Sequence, residues 1–343
     1  MTQGSDMTRT TEATAGSARS WRPRLAQGTG PVLAVLAVLL IALAFAGSAY
    51  SEPEGYLALL KRAAPLMILA IGQYFVIVSG GFDLSVGSLV TAEVVIAARL
   101  IDGEESATSW VILFILGFGA LIGLVNGLIT TRLLVPSFIV TLGMLLVLDG
   151  AVFLWTGGSP RGALSESFRM VGREGIDVPL IGQLPWSVLL LAVIVVLAVL
   201  FMRGSTGRLL VAIGDNPAVV RLGGGNVERV RTLAFVLSGL SAAVAAVLLG
   251  GFAGVSAQVG EGLEFRVITA VVLGGVLLGG GRGSVVAAMA GALTLEALFS
   301  LLNLLGVSGG LESAVQGVII IAAVAYASVG NRFSLRKLFR RSE

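Results

Sequence analysis

Residues 186–202 read WSVLLLAVIVVLAVLFM and residues 233–251 read LAFVLSGLSAAVAAVLLGG, and neither run contains a charged side chain. A helix of about 20 apolar residues crosses the roughly 30 Å hydrocarbon layer of a bilayer. The stretch between them includes GRLLVAIGDNPAVVRLGGGNVERVRT, which begins at Gly207. This pattern predicts two membrane helices joined by a polar, arginine-containing segment at the membrane surface.

The composition of the whole chain is that of an integral membrane protein. Of 343 residues, 56% are hydrophobic and 13% are charged, whereas soluble domains carry about 25% charged residues. Cysteine and histidine are absent, which excludes disulfides, thiolate chemistry, and metal sites or acid–base catalysis built on those residues. The pI of about 9.7 does not indicate a nucleic-acid partner, because the basic residues lie between apolar runs.

Further apolar windows predict an all-α membrane protein with about ten transmembrane helices. The windows are 31–50, 63–79, 84–101, 110–130, 134–155, 186–202, 233–251, 266–279, 284–303 and 313–329. The third, eighth and tenth are short or polar at one end, so nine or eleven spans are alternatives. An alternative for the first window is a signal peptide cleaved after Ala44-Phe45-Ala46.

The distribution of lysine and arginine predicts the orientation. With ten spans, most of the 23 basic residues fall on one side, together with both termini, and the positive-inside rule assigns that side to the cytoplasm. We therefore expect a cytoplasmic tail over residues 1–30, one membrane domain over 31–330 and a basic cytoplasmic tail over 331–343. The segment 203–232 is then a cytoplasmic loop, and 155–186 is an outside loop.

No stretch of the chain fits the phosphate-binding pattern G-x-x-x-x-G-K-[ST]. The run Gly279 to Gly281 is interpreted as a tight turn between spans. If ATP drives this protein, another chain binds the nucleotide and its Mg²⁺. The polar segment that begins at Gly207 is then the part on which an external motor would act.

Polar side chains inside the predicted spans are candidates for a translocation path, because ionisable groups there are costly. The candidates are Gln73, Glu93, Asn126, Thr141 and Glu296. Asp149 is a third intramembrane acid, and no lysine or arginine at the centre of a span is expected to pair with these acids. Two readings of the deep carboxylates stay open: an ion-coupled secondary carrier, or hydrogen bonds that only hold the helices together.

Two segments about 200 residues apart resemble each other weakly: residues 78–89, VSGGFDLSVGSL, and residues 278–289, LGGGRGSVVAAM. Both lead from one span through a glycine turn into the next, which predicts a parallel internal repeat. The expected turn and packing residues are Gly80, Gly81, Asp83, Ser85, Gly87, Gly280 and Gly281. Ser85 and Ser284 are expected to cap the helices that follow.

Several motifs carry a family resemblance. Residues 80–88 read GGFDLSVGS, residues 123–127 read GLVNG, residues 135–143 read VPSFIVTLG, and residues 212–218 read AIGDNPA. In this order they resemble the ribose/xylose-type permeases of ATP-binding-cassette sugar importers, across roughly residues 55 to 330. The chain departs from that family at Val219-Val220, at Gly223-Gly224-Gly225 and at Asp149-Gly150.

The resemblance implies a non-catalytic permease subunit in a bacterial inner membrane. Its implied partners are a second copy or a sister permease, a cytoplasmic ATPase and an extracytoplasmic sugar-binding protein. The cytoplasmic loop would couple the permease to the ATPase, with a short helix from Pro217 to Leu222 capped by Asn216. The implied coupling residues are Gly207, Arg208, Gly214, Asn216, Pro217, Arg221 and Leu222. The solute is a pentose or hexose, or alternatively a nucleoside, polyol or signalling sugar.

The outside loop 155–186 contains Arg169, Arg173 and several glycines and prolines. Two interpretations are open. It forms the landing surface for the binding protein, or it is an ordered plug that covers the helices.

Overall fold

The computed structural model describes residues 29–179, 182–307 and 309–322. The predicted tails therefore lie outside the described residues, except for residues 29 and 30, as does the end of the tenth window. The described helices are α1 (Thr29–Ala46), α2 (Pro53–Val78), α3 (Val86–Ile101), α4 (Thr108–Arg132), α5 (Ser137–Thr156), α6 (Glu166–Arg173), α7 (Trp186–Arg203), α8 (Ser205–Asp215), α9 (Pro217–Leu222), α10 (Val227–Ala253), α11 (Leu263–Leu273), α12 (Val285–Leu304) and α13 (Gly309–Ala322). Single 3₁₀ turns cover Ser48–Ser51 and Glu105–Ala107.

Each of the ten predicted windows overlaps one of these helices, but only seven helices in the described part of the chain are long and apolar enough to cross a membrane. They are α1, α2, α4, α5, α7, α10 and α12. The helices in the third, eighth and tenth windows, α3, α11 and α13, are shorter. The described residues therefore form a helical membrane protein.

Several helix ends differ from the predicted windows. The first helix ends at Ala46 rather than at position 50, and the second already begins at Pro53, because proline is well tolerated in the first helical turn. The eighth window extends to 279, but α11 ends at Leu273. Gly274 and Gly275 follow, and Gly275 takes a φ of +80°, which breaks the helix.

The helices α2 and α10 form the centre of the bundle, whereas α1 and α7 lie at its periphery. Within the most apolar window of each helix, 61% of the residues of α2 and 67% of those of α10 are buried, against 17% for α1 and for α7. The central helices pack on α3, α4, α11 and α12, and α1 packs on α12. Central helices with apolar residues on every side are expected when a helix is enclosed by others.

The crossing of α4 and α10 depends on glycines spaced four residues apart. Gly119, Gly123 and Gly127 lie on one face of α4. A Cβ atom at Gly123 would lie 2.2 Å from the carbonyl oxygen of Phe235, and one at Gly119 would lie 2.5 Å from that of Gly239 on α10. Small residues at this spacing let membrane helices approach backbone to backbone.

The described part of the loop 155–186, which is predicted to lie outside, is folded. It contains α6 and a two-stranded antiparallel hairpin, β1 (Gly175–Val178) with β2 (Gly182–Pro185), in which Gly175 pairs with Pro185. Phe168 of α6 is fully buried, and Gly172 approaches the backbone of α10 at Leu248. The Glu105 carboxylate accepts a hydrogen bond from the N–H of Glu166 at 2.6 Å, which fixes the start of α6.

Candidate coupling and translocation sites

The loop between α2 and α3 is held by a buried carboxylate. Asp83 is only 1% exposed, and its Oδ1 accepts hydrogen bonds from the backbone N–H of Ser85 at 3.0 Å and from its hydroxyl at 2.6 Å. The prediction that Ser85 caps α3 is therefore wrong, because its hydroxyl donates to Asp83 instead. Ser284 does cap α12, accepting from the N–H of Ala287 at 3.3 Å.

Three of the predicted path residues converge on this same loop. The Asn126 amide donates to the Ser85 hydroxyl at 2.9 Å, and the Thr141 hydroxyl accepts from the N–H of Leu84 at 3.0 Å. With its amide nitrogen turned toward the loop, Gln73 donates to the Asp83 carbonyl at 3.2 Å. All three side chains are fully buried. In this conformation they fix the loop rather than line an open path.

Sequence reasoning missed a further member of this network, Ser137. Its hydroxyl accepts from the N–H of Phe82 at 3.0 Å. The serine stands inside the VPSFIVTLG motif, four residues before Thr141. Because i and i+4 share a helix face, the pair could have been found from the spacing.

Removing the Asp83 carboxylate should destabilise the protein. Asp83→Ala leaves the N–H and the hydroxyl of Ser85 without their buried acceptor, which costs about 1–3 kcal/mol of unfolding free energy. We expect a lower thermal unfolding midpoint in detergent, with Asp83→Asn intermediate because one acceptor oxygen remains. Asp177→Ala, at an exposed position on β1, is the control. Equal midpoints for the Asp83 and Asp177 variants would contradict this account.

The three intramembrane acids do not form one site. Glu93 is fully buried beside the α4–α10 crossing, and within the described residues neither of its carboxylate oxygens has a hydrogen-bond partner. Glu296 lies 3.7 Å from the Arg266 guanidinium, which also sits 4.9 Å from the ring centre of Phe299. Arg266 lies in the first turn of α11, which packs on α12, so it pairs with Glu296 from the end of a helix rather than from the centre of a span. Asp149 is exposed on α5.

The predicted short helix α9 is present with the predicted cap. The Asn216 side chain accepts from the N–H groups of Ala218 at 3.0 Å and Val219 at 3.2 Å. Val220 faces inward, whereas Val219 is 61% and Leu222 90% exposed, and Arg221 is exposed beside them. Arg208, on α8, donates to the carbonyl of Arg203 at 2.7 Å, so that it holds the turn between α7 and α8.

At the opposite end of the bundle, two grooves open beside the predicted outside loop. One has a volume of about 340 Å³ and is lined by Arg99, Trp155, Arg161 and neighbouring residues. The other, of about 310 Å³, is lined by Leu164, Glu166, Arg169, Met170, Arg173 and Glu174. Arginine side chains with several donors suit carboxylate or hydroxyl partners.

Comparison with known proteins decides the family. The model of the family described as "Branched-chain amino acid transport system / permease component" matches residues 55–324. The chain belongs to this permease family. As members of a transport system, its proteins are membrane subunits rather than enzymes, in agreement with the seven helices of spanning length among the described residues.

The relatives of the permease include several proteins that import sugars. It is 37% identical over 270 residues to the ribose import permease protein of Escherichia coli K12, covering 78% of this chain and 83% of that protein. The ribose import permease protein of Bacillus subtilis 168 is 35% identical over 307 residues (87% and 92%). The fructose import permease protein of Rhizobium meliloti is 33% identical over 277 residues (78% and 76%). No solved structure matches the permease.

Proposed function

We propose that the permease forms the membrane path of an importer that takes up a monosaccharide, driven by a separate ATPase and supplied by an extracytoplasmic binding protein. The observation that carries the proposal is α9, which presents Val219, Arg221 and Leu222 outward on the predicted cytoplasmic side. Exposed apolar side chains beside a cation are typical of a protein interface. The ribose and fructose permeases among the relatives support the solute class.

The exposed side of α5 is the proposed wall of the path. Asp149 lies well inside this helix and is exposed, and a charged group facing lipid there would cost about 2.5–3.5 kcal/mol or more. Gly143 and Gly150 are also exposed on α5 and have open space around them. A water-filled path between two permease subunits, either two copies or this chain with a sister, would solvate the carboxylate and use the small residues for close approach.

Reconstitution tests the function directly. The permease is purified from its native membrane in mild detergent, proteins bound at stoichiometric level are identified by mass spectrometry, and the assembly is placed in liposomes with D-ribose, D-xylose and D-fructose in turn. We expect a co-purifying ATPase and uptake that requires ATP. Uptake by the permease alone under a proton or sodium gradient would overturn the proposal in favour of a secondary carrier.

The same uptake assay distinguishes the alternative solutes from monosaccharides. Relatives also include the autoinducer 2 import system permease protein of Enterobacter sp. 638, which is 33% identical over 261 residues. The departure from the resembled family at Asp149-Gly150 adds a specific reason to include a nucleoside, a polyol and a signalling sugar in the panel.

Charge reversal in the outside loop should weaken the docking of the binding protein. Arg173 is exposed, and Arg169 lines the same groove. For the pair Arg169→Glu and Arg173→Glu we expect at least about a tenfold increase in the Kd of the binding protein, equivalent to about 1.4 kcal/mol. The control is Arg132→Glu, because Arg132 is the last residue of α4, at the end of the bundle opposite to this loop. Unchanged docking would support the alternative that the loop is only a plug.

A further inference from the structure

The end of α8 touches two separate turns of the bundle through backbone atoms. A Cβ atom at Gly214 would lie 1.9 Å from the carbonyl oxygen of Val78 and 2.3 Å from the backbone nitrogen of Gly281. That nitrogen donates a hydrogen bond to the same carbonyl at 2.9 Å. Only a residue without a side chain fits at position 214, because its three close neighbours include no side-chain atom that could move aside.

The two turns also touch each other. A Cβ atom at Gly280 would lie 2.9 Å from the nitrogen of Gly80 and 3.0 Å from the Cα of Gly214. Gly80, Gly280 and Gly281 have φ values of +86°, +83° and +73°, which other residues rarely adopt. We call these four residues, Gly80, Gly214, Gly280 and Gly281, the glycine joint. It brings together the two turns of the weakly repeated sequence.

Each of the two turns is hydrogen-bonded to, or continues into, a different part of the bundle. The turn after α2 is tied to α10 by Arg231, whose Nε donates to the carbonyl of Ser79 at 3.1 Å, and it continues into the buried network around Asp83. The second turn leads into α12 through the Ser284 cap. The Tyr74 hydroxyl also donates to the carbonyl of Gly283 at 3.4 Å. A displacement of α8 therefore reaches α3, α10 and α12 over short distances.

We propose that the glycine joint is a rigid link through which a displacement of α8 and α9 is transmitted to both turns at once. Backbone atoms in contact have no rotamers that could absorb the motion, and close-packed contacts deform little before they shift as units. The proposal rests on the proposed function, since the displacing force would come from the ATPase at α9. Gly214 acts as a positioning residue in this account.

The first test separates transmission from ATP hydrolysis. In the reconstituted complex, Gly214→Ala should retain ATP hydrolysis stimulated by the binding protein, while the number of solute molecules imported per ATP falls about tenfold. The control is Gly117→Ala, at an exposed helical glycine with nothing within 4 Å of the new Cβ. An unchanged ratio in Gly214→Ala would overturn the glycine joint. Absence of ATP-dependent uptake in the unmodified complex would instead overturn the proposed function.

The second test needs no substitution and therefore does not depend on the folding of a variant. Hydrogen–deuterium exchange of the peptide covering residues 277–283 is followed in the unmodified complex, without nucleotide and with a non-hydrolysable ATP analogue. A rigid link predicts that the amide of Gly281 stays protected in both states, because its hydrogen bond to Val78 persists. Fast exchange of every amide in this peptide, including that of Gly281, in either state would show that the contact opens, and the proposal would fail.

Discussion

Gly123→Leu should leave little folded permease in the membrane. The first side-chain carbon at this position would lie 2.2 Å from the carbonyl oxygen of Phe235 and 2.9 Å from the Cα of Val236. Both are backbone atoms, so α4 and α10 would have to separate along a crossing that lies at the centre of the bundle. Even Gly123→Ala should lower the free energy of unfolding by about 1–3 kcal/mol.

The measurement is the amount of monodisperse protein after solubilisation and its thermal unfolding midpoint. The controls are Gly117→Leu and Gly117→Ala. Gly117 lies on the same helix, and it is exposed and has open space around it. There the alanine variant should be neutral or stabilising, since alanine favours a helix over glycine by about 0.8–1 kcal/mol. If both positions tolerated leucine equally, the α4–α10 crossing would not have the close packing described above.

Leu222→Glu and Arg221→Glu should each remove ATP-dependent uptake while leaving the permease folded. Both residues are exposed on α9, so their substitution costs the isolated permease little. At an interface, Leu222→Glu would bury a charge without a partner, and Arg221→Glu would reverse the charge at its position. Changes of this kind typically cost 2 kcal/mol or more of binding free energy, roughly a thirtyfold loss of affinity for the ATPase.

The assay compares membrane abundance, ATPase co-purification and uptake for each variant. Leu222→Met keeps an apolar side chain of similar size at the same position and should retain most of the uptake. Normal abundance together with unchanged uptake and unchanged substrate-stimulated ATP hydrolysis in both glutamate variants would refute the role of α9 in coupling.

The parts of the structure that the sequence predicted well depend on residues close together in the chain. The α9 helix begins at Pro217 and ends at Leu222 as predicted, because a capping asparagine and a proline act within one turn. The apolar windows located helices for the same reason, since the cost of placing polar groups in lipid depends on local composition. Hydropathy did not predict the positions at which glycines end a helix early, such as the end of α11 after Leu273.

The candidate path residues show the limit of such reasoning. Gln73, Asn126 and Thr141 were chosen as polar groups in apolar spans, and all three lie together at one loop. Their bonding to that loop was not foreseen, because a hydrogen bond between α4 and the start of α3 depends on how the two helices pack. The same holds for Arg266, which stands at the start of the eighth window and which the packing of α11 on α12 brings to Glu296.

The sequence by itself determined that this is a helical membrane protein of a transport family, with a polar segment containing a capped short helix. Only the tertiary structure decided that Gly80, Gly214 and Gly280 meet, at positions far apart in the chain. Hydropathy and capping are set by neighbouring residues, whereas a backbone contact depends on the absence of side chains at several distant positions at once. A glycine in the sequence shows that such a contact is allowed, and only the packed helices show with which partner it forms.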